Sequence, residues 1–161
     1  MTRGIKLFSL FFPILMLGQS RVGEWKSYPS FLNVRETIEV GDLLVSATSG
    51  GILLYDREAL SFETVTNIDG LVETDLSVIA EDGNGHLWLG GAAPNGTVQI
   101  YDLAKRQSVK IFNFDLWEVT AFAVSDSVVC AAYSKDGQWG ILEFVMQDGE
   151  FSYRQIYNPS D

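Results

Sequence analysis

The chain is short of the residues that most often carry chemistry or covalent cross-links, holding one cysteine and one histidine in 161 residues. A lone Cys130 excludes an intrachain disulfide. It stands in Ser127-Val-Val-Cys-Ala-Ala132, an apolar run in which a free thiol acts as a small hydrophobe. A lone His86 excludes a histidine-based metal cluster or a Ser-His-Asp triad assembled within the chain. Basic residues are also scarce. Eleven Lys and Arg face 21 Asp and Glu, a formal net charge of −10, and an acidic surface repels phosphate backbones and anionic lipids. Neither a nucleic acid nor a membrane surface is therefore expected as a partner. No segment sustains a helical period, and none reaches the roughly 20 apolar residues of a membrane span.

The longest apolar run is Leu7 to Leu17, preceded by Arg3 and Lys6 and followed by the small residues Gly18 and Ser20. This is the outline of a signal peptide over residues 1–20, cut after Ser20. Cleavage removes two bases and no acid, so the net charge of residues 21–161 becomes −12. No cysteine follows the run, so lipoprotein processing is not indicated. The expected location is periplasmic, at the cell surface or secreted.

What the chain does have is a repeat. Ile52-Leu-Leu-Tyr-Asp56 returns as Val98-Gln-Ile-Tyr-Asp102 and as Gly140-Ile-Leu-Glu-Phe144, and a second marker runs through Ile38, Ile79 and Phe122. A period of roughly 40 to 50 residues filled with short apolar runs is the signature of propeller blades of four strands each. The spacing predicts strands at 34–40, 43–49, 51–56 and 61–66, then 75–81, 86–91, 97–103 and 107–113, then 119–125, 127–133, 138–145 and 151–157. Turn chemistry agrees with this division, most clearly at Asp82-Gly-Asn-Gly85, where glycine supplies the positive φ of a tight hairpin. Trp25-Lys-Ser-Tyr28 reads as a further, N-terminal outer strand. The fold expected is all-β: a partial β-propeller over residues 21–161, with blades at about 34–66, 75–113 and 119–157. Three blades fall short of the usual four to eight, so the remaining blades are expected from a longer, full-length chain, with the present one truncated.

The stretch Phe62-Glu-Thr-Val-Thr-Asn-Ile-Asp-Gly-Leu71, followed by Val78-Ile-Ala-Glu-Asp-Gly-Asn-Gly-His-Leu-Trp-Leu-Gly90, resembles the two-component regulator propeller repeat. The resemblance is close over about 30 residues and degenerate in the first and third blades. It implies a bacterial sensor-type or surface-exposed propeller. An outer-strand motif behind a signal peptide is also similar to the surface propeller component of the type IX secretion system. The chain departs from the sensors in carrying no kinase region and no membrane span.

Candidate chemistry is sparse. Asp82, Asn84 and His86 have the spacing that opens a calcium loop, but Leu87 stands where such a loop needs glycine, and Gly91 and Ala93 where further ligands belong. Asp69 with Asp75, or Glu81 with Asp82, could pair as glycosidase carboxylates. Acids at turns more commonly bond the local backbone, however. No metal or other cofactor is expected, and no catalytic residue. Asn95-Gly-Thr97 reads as a turn. Loops at 29–33, 67–75 and 113–118, joined by turns at 49–51, 91–96 and 134–138, are expected on one face, where binding usually sits. Phe31, Phe114 and Trp117 are the ligand-face candidates there. The expected function is a non-catalytic binding module that recognises a glycan, a peptide or an exported protein, as sensor input or otherwise. The alternatives are the N-terminal part of a propeller lyase or glycosidase and a component of a secretion apparatus.

Overall fold

The structure, a computed structural model, describes residues 30–159. The expected signal peptide and the outer strand at Trp25–Tyr28 lie outside the described residues. Twelve strands follow: β1 (Val34–Val40), β2 (Leu43–Thr48), β3 (Gly51–Asp56), β4 (Ser61–Val65), β5 (Leu76–Glu81), β6 (His86–Gly91), β7 (Gly96–Asp102), β8 (Gln107–Leu116), β9 (Glu118–Val124), β10 (Val128–Lys135), β11 (Gln138–Gln147) and β12 (Glu150–Tyr157). They form three four-stranded antiparallel meanders, β1-β2-β3-β4, β5-β6-β7-β8 and β9-β10-β11-β12. Strand β5 packs against both β1 and β9, so the first strand of each sheet lies innermost, and β4, β8 and β12 form the outer edges. Sheets stacked face to face about their first strands are propeller blades. Among the described residues the three blades do not close into a ring.

Two apolar layers hold the blades together. Between the first and second, Val45, Ile52 and Leu54 meet Leu76, Ile79, Leu89 and Tyr101. Between the second and third, Val78, Trp88 and Ile100 meet Val129, Leu142, Phe144 and Phe151. Trp88 is fully buried, with ring centroids 5.0 Å from Phe151 and 5.2 Å from Phe144. Such pairs add about 0.5–1.5 kcal/mol beyond the area they bury. Close approach also needs an absent side chain. A Cβ on Gly90 would stand 2.4 Å from Val78 Cγ1 and 2.8 Å from Val119 Cβ, so glycine there lets β6 press against the third blade.

Two expectations need correction. Ile38 is not equivalent to Ile79 and Phe122. It pairs with Val45 and faces the second blade, whereas Ile79, opposite Leu89, and Phe122, opposite Ala131, face the blade before their own. Thr37, opposite Ser46, holds the equivalent place. A one-residue slip reverses every side chain of a strand, and the spacing of one marker cannot detect it. The loop expected at 113–118 is also largely strand. β8 runs on to Leu116 and leaves only Trp117 before β9.

Candidate functional site

The inter-blade connections and the mid-blade turns meet on one face, tied by a backbone bond in each blade, whose direction is reversed in the third. Ser49 N–H donates to Asn33 O at 3.2 Å, Ala92 N–H to Asp75 O at 2.8 Å and Trp117 N–H to Ser134 O at 2.8 Å. In the first blade the Ser49 hydroxyl adds a bond to Ser30 O at 3.0 Å. Bonds between blades then fasten this rim. Arg35 spans from the first blade to the second, donating to Leu76 O at 2.8 Å and pairing with Asp75 at 2.7 Å. Ser77 Oγ donates to Val119 O in the third blade at 2.5 Å.

The longest connection, Thr66 to Asp75, is built locally and then pinned. Thr66 caps a 3₁₀ turn at Asn67–Asp69, with the Asp69 carboxylate accepting from the Thr66 backbone N–H, a reciprocal capping box. Gln99, 2% exposed on β7, donates to Gly70 O at 2.9 Å and accepts from Val72 N–H at 3.0 Å. The Tyr101 hydroxyl donates to Asp69 O at 2.8 Å, and burial raises its pKa. Two side chains of one strand thus clamp the loop above it. Beside the clamp a polar cavity of about 230 Å³ opens between Glu73, Pro94, Asn95, Asn113 and Asp115.

The three ligand-face candidates are placed differently. Phe31 is half-buried in the segment before β1. Phe114 lies on β8 rather than in a loop, its ring stacked parallel to Phe112 at 6.4 Å and tilted against Tyr153 at 4.9 Å. It therefore helps join the second blade to the third. Trp117 alone stands out from the rim, 56% exposed.

The acids on the opposite, hairpin side are spent on structure. Asp82 Oδ1 accepts from the backbone N–H of Asn84 at 2.9 Å and of His86 at 3.3 Å, and its Oδ2 meets His86 Nδ1 at 3.2 Å and Trp88 Nε1 at 3.4 Å. Spacing alone suggested a cation loop, but the carboxylate orders a hairpin and holds the core indole. Asp102 accepts from the Lys105 ammonium and backbone N–H, which hold its carboxyl below the usual range. Asp69 is engaged in the capping box and Asp75 in the pair with Arg35, so neither carboxylate of that candidate pair is free for acid or base work. Among the described residues no group of three or more His, Cys, Asp or Glu could hold a metal ion.

These features define a repeat protein of the propeller class, with three blades among the described residues. No protein-family model and no curated protein matches the sequence. Solved structures do match in fold. The N-terminal domain of Nup159 aligns with a TM-score of 0.52 at 21% identity, over 78% of this chain and 30% of that one. The WD40 domain of Toxoplasma gondii coronin aligns at 0.52 and 18%, over 74% and 33%. A chain of the mitotic checkpoint complex aligns at 0.54 and 13%, over 97% and 48%. A S. cerevisiae structure of Dbp5 bound to Nup159, Gle1, IP6 and ADP also matches, at 0.53 and 20%, over 78% and 30%. The chain thus spans less than half the length of the solved chains it matches, and at these identities the likeness establishes the fold.

The expected setting is corrected by the same structures. They come from intracellular proteins and assemblies, none of them a bacterial sensor or a type IX secretion component. The periplasmic, cell-surface or secreted location does not stand. Neither does the extracellular or periplasmic ligand or partner, since the complex in this set joins Nup159 to Dbp5 and Gle1. A short repeat motif reports blade geometry, which propellers of many settings share.

Proposed function

We propose that the chain is a non-catalytic protein-interaction module that receives a peptide segment of a protein partner on its rim, against Trp117 and the neighbouring cavity. One observation carries this reading: the rim is fastened within blades by backbone bonds and between blades by the Arg35 and Ser77 side chains, and on it stands a large aromatic side chain 56% exposed. A rigid scaffold that offers an indole loses little entropy on binding, and an indole supplies both stacking area and a donor. Asn95, Asn113, Asp115 and Glu73 beside it offer acceptors and amide donors suited to a peptide backbone or a basic side chain. The protein complex among the structures of this fold supports the reading in kind.

The test is a peptide library displayed against the full chain, with hits measured by calorimetry. Trp117→Ala is expected to weaken binding at least tenfold, while Val109→Ala, near the hairpin on the opposite side, leaves it within twofold. Hits indifferent to Trp117→Ala, or lost with changes at the Asp82 hairpin instead, would move the working surface away from the rim.

A further inference from the structure

Two carboxylates of the rim have no cation of this chain. Glu73 belongs to the loop at 66–75 and Asp115 to the end of β8, and both line the polar cavity of about 230 Å³ beside Trp117. Among the described residues neither carboxylate joins an ion pair or accepts a hydrogen bond. Two bases of the rim are engaged elsewhere: Arg35 pairs with Asp75 at 2.7 Å, and Lys135 donates to Phe114 O at 2.9 Å. Like charges that share one cavity repel each other, and a cation between them removes that cost.

Asp115 is placed there by a bulge. Thr97 pairs with Asn113 and Gly96 with Leu116, so Phe114 and Asp115 have no partner on β7. Asp115 takes φ +53°, a left-handed conformation, and its N–H donates to Asn113 Oδ1 at 3.0 Å. A bulge of this kind re-aims a side chain. Glu73 follows Val72, whose N–H is held by Gln99, so the buried clamp on β7 fixes the other wall. Trp117 stands at the cavity's edge, because its neighbours on both sides touch the wall. Leu116 lines the cavity, and a Cβ on Gly96, also in the lining, would stand 2.8 Å from Glu118 N.

We propose that this cavity is the specificity pocket of the rim and takes an arginine side chain of the partner peptide, its guanidinium between Glu73 and Asp115 and its plane against the Trp117 indole. The inference rests on the rim reading above and adds the residue type that the peptide must carry. Arginine suits the pocket better than lysine, because its planar fork presents five donors in a fixed geometry and can reach two separate carboxylates and the Asn95 amide oxygen together, whereas an ammonium is a point charge. A guanidinium also stacks on an aromatic face. A calcium ion is poorly served there, since it takes six to eight oxygens, and no group of three His, Cys, Asp or Glu gathers among the described residues. The formal net charge of −10 draws a basic peptide toward the chain.

The experiment uses the full chain and two displayed libraries of random peptides, one containing arginine and one with arginine and lysine left out. Binders that need Trp117 are expected from the first library alone, each with an arginine at one fixed place. Calorimetry on such a peptide should show binding about tenfold weaker when citrulline, a neutral isostere, replaces the arginine, and a similar loss with Asp115→Asn or Glu73→Gln. Glu73 is half-buried and Asp115 exposed, and asparagine tolerates the left-handed φ at 115, so both variants keep the fold. Against the citrulline peptide the two variants should bind no worse than the unaltered chain. Trp117-dependent binders that lack arginine, or an arginine peptide indifferent to both variants, would overturn this inference and leave the rim reading standing. A failure of both libraries to yield any Trp117-dependent binder would overturn the two together.

Discussion

The second blade and its two neighbours are built from similar sequence yet buried to very different degrees. Every residue of β7 is buried, against three of six in β3 and three of ten in β11, and five of the six in β6, against four of six in β2 and three of eight in β10. The middle blade lies between two others, so both faces of its inner strands β6 and β7 meet apolar neighbours. The outer blades are half-covered. Two tryptophans mark the contrast: Trp88 on β6 is fully buried and Trp139 on β11 is 76% exposed. In a repeat protein stability is carried by blade-to-blade contact as much as by each blade's own ladder, so substitutions of equal size should differ sharply with position.

The largest effect is expected at the fully covered core. Trp88→Ala should destabilise by about 3–5 kcal/mol, read by urea titration. A loss below about 1 kcal/mol would mean the junction between the second and third blades contributes little, and the contrast would fail. Gly90→Ala comes next, at about 1–3 kcal/mol, because the added methyl must displace Val78 or Val119. The corresponding change at Gly137, a turn glycine with φ +76° and open space around it, carries backbone strain alone and separates crowding from conformation.

Asp82→Ala should cost about 1–3 kcal/mol, since it leaves the Trp88 indole N–H and two turn amides without their acceptor. Added calcium is expected to leave the melting temperature of the unaltered protein unchanged. A calcium-dependent rise abolished by Asp82→Ala would restore the cation-loop reading.

On the open face of the third blade the expected effect is a pH dependence. Hydrogen bonds led by the Tyr157 hydroxyl hold the Glu143 carboxyl below the usual carboxylate range. A carboxylate whose pKa is lowered by folding stabilises the fold above its unfolded value, and that contribution is lost as pH falls through the lowered, folded one. Melting temperature should therefore fall on acidification, and Glu143→Gln should flatten part of the decline. An identical acid profile in the variant would remove Glu143 from the account. The smallest effect belongs to the outer edge of the middle blade itself, where Val109 is half-exposed. Val109→Thr should stay within about 0.5 kcal/mol, and a larger loss would extend the covered region beyond the two junctions.

Much of this architecture is legible in the order of residues. Alternation and turn chemistry are local, so the twelve strand positions, the hairpin glycines and the buried Trp88 follow from windows of a few residues. The gathering of Asn33, Asp75 and Trp117 beside their mid-blade turns follows from repeat order as well. The clamp of Gln99 and Tyr101 on the loop at 66–75 was not legible, because Gln99 inside an apolar strand shows its partners only after folding brings β7 beneath that loop. Trp117 and Phe114 look alike as aromatics near a blade boundary, yet one projects from the rim and the other is stacked between blades.

The sequence by itself determined that the chain is all-β, that it repeats three times and where its strands turn, since each of these depends on a few neighbouring residues. Tertiary structure decided which face of each strand meets which blade. Register shifts at Val34/Glu36, Leu76/Val78 and Ala132/Tyr133 reset the alternation partway along a pairing, so that Leu76 and Ile79 share one layer while Val78 serves the other. A bulge is defined by the partner strand it fails to match. For that reason Thr37 rather than Ile38 is the counterpart of Ile79 and Phe122, and only the paired, stacked sheets could show it.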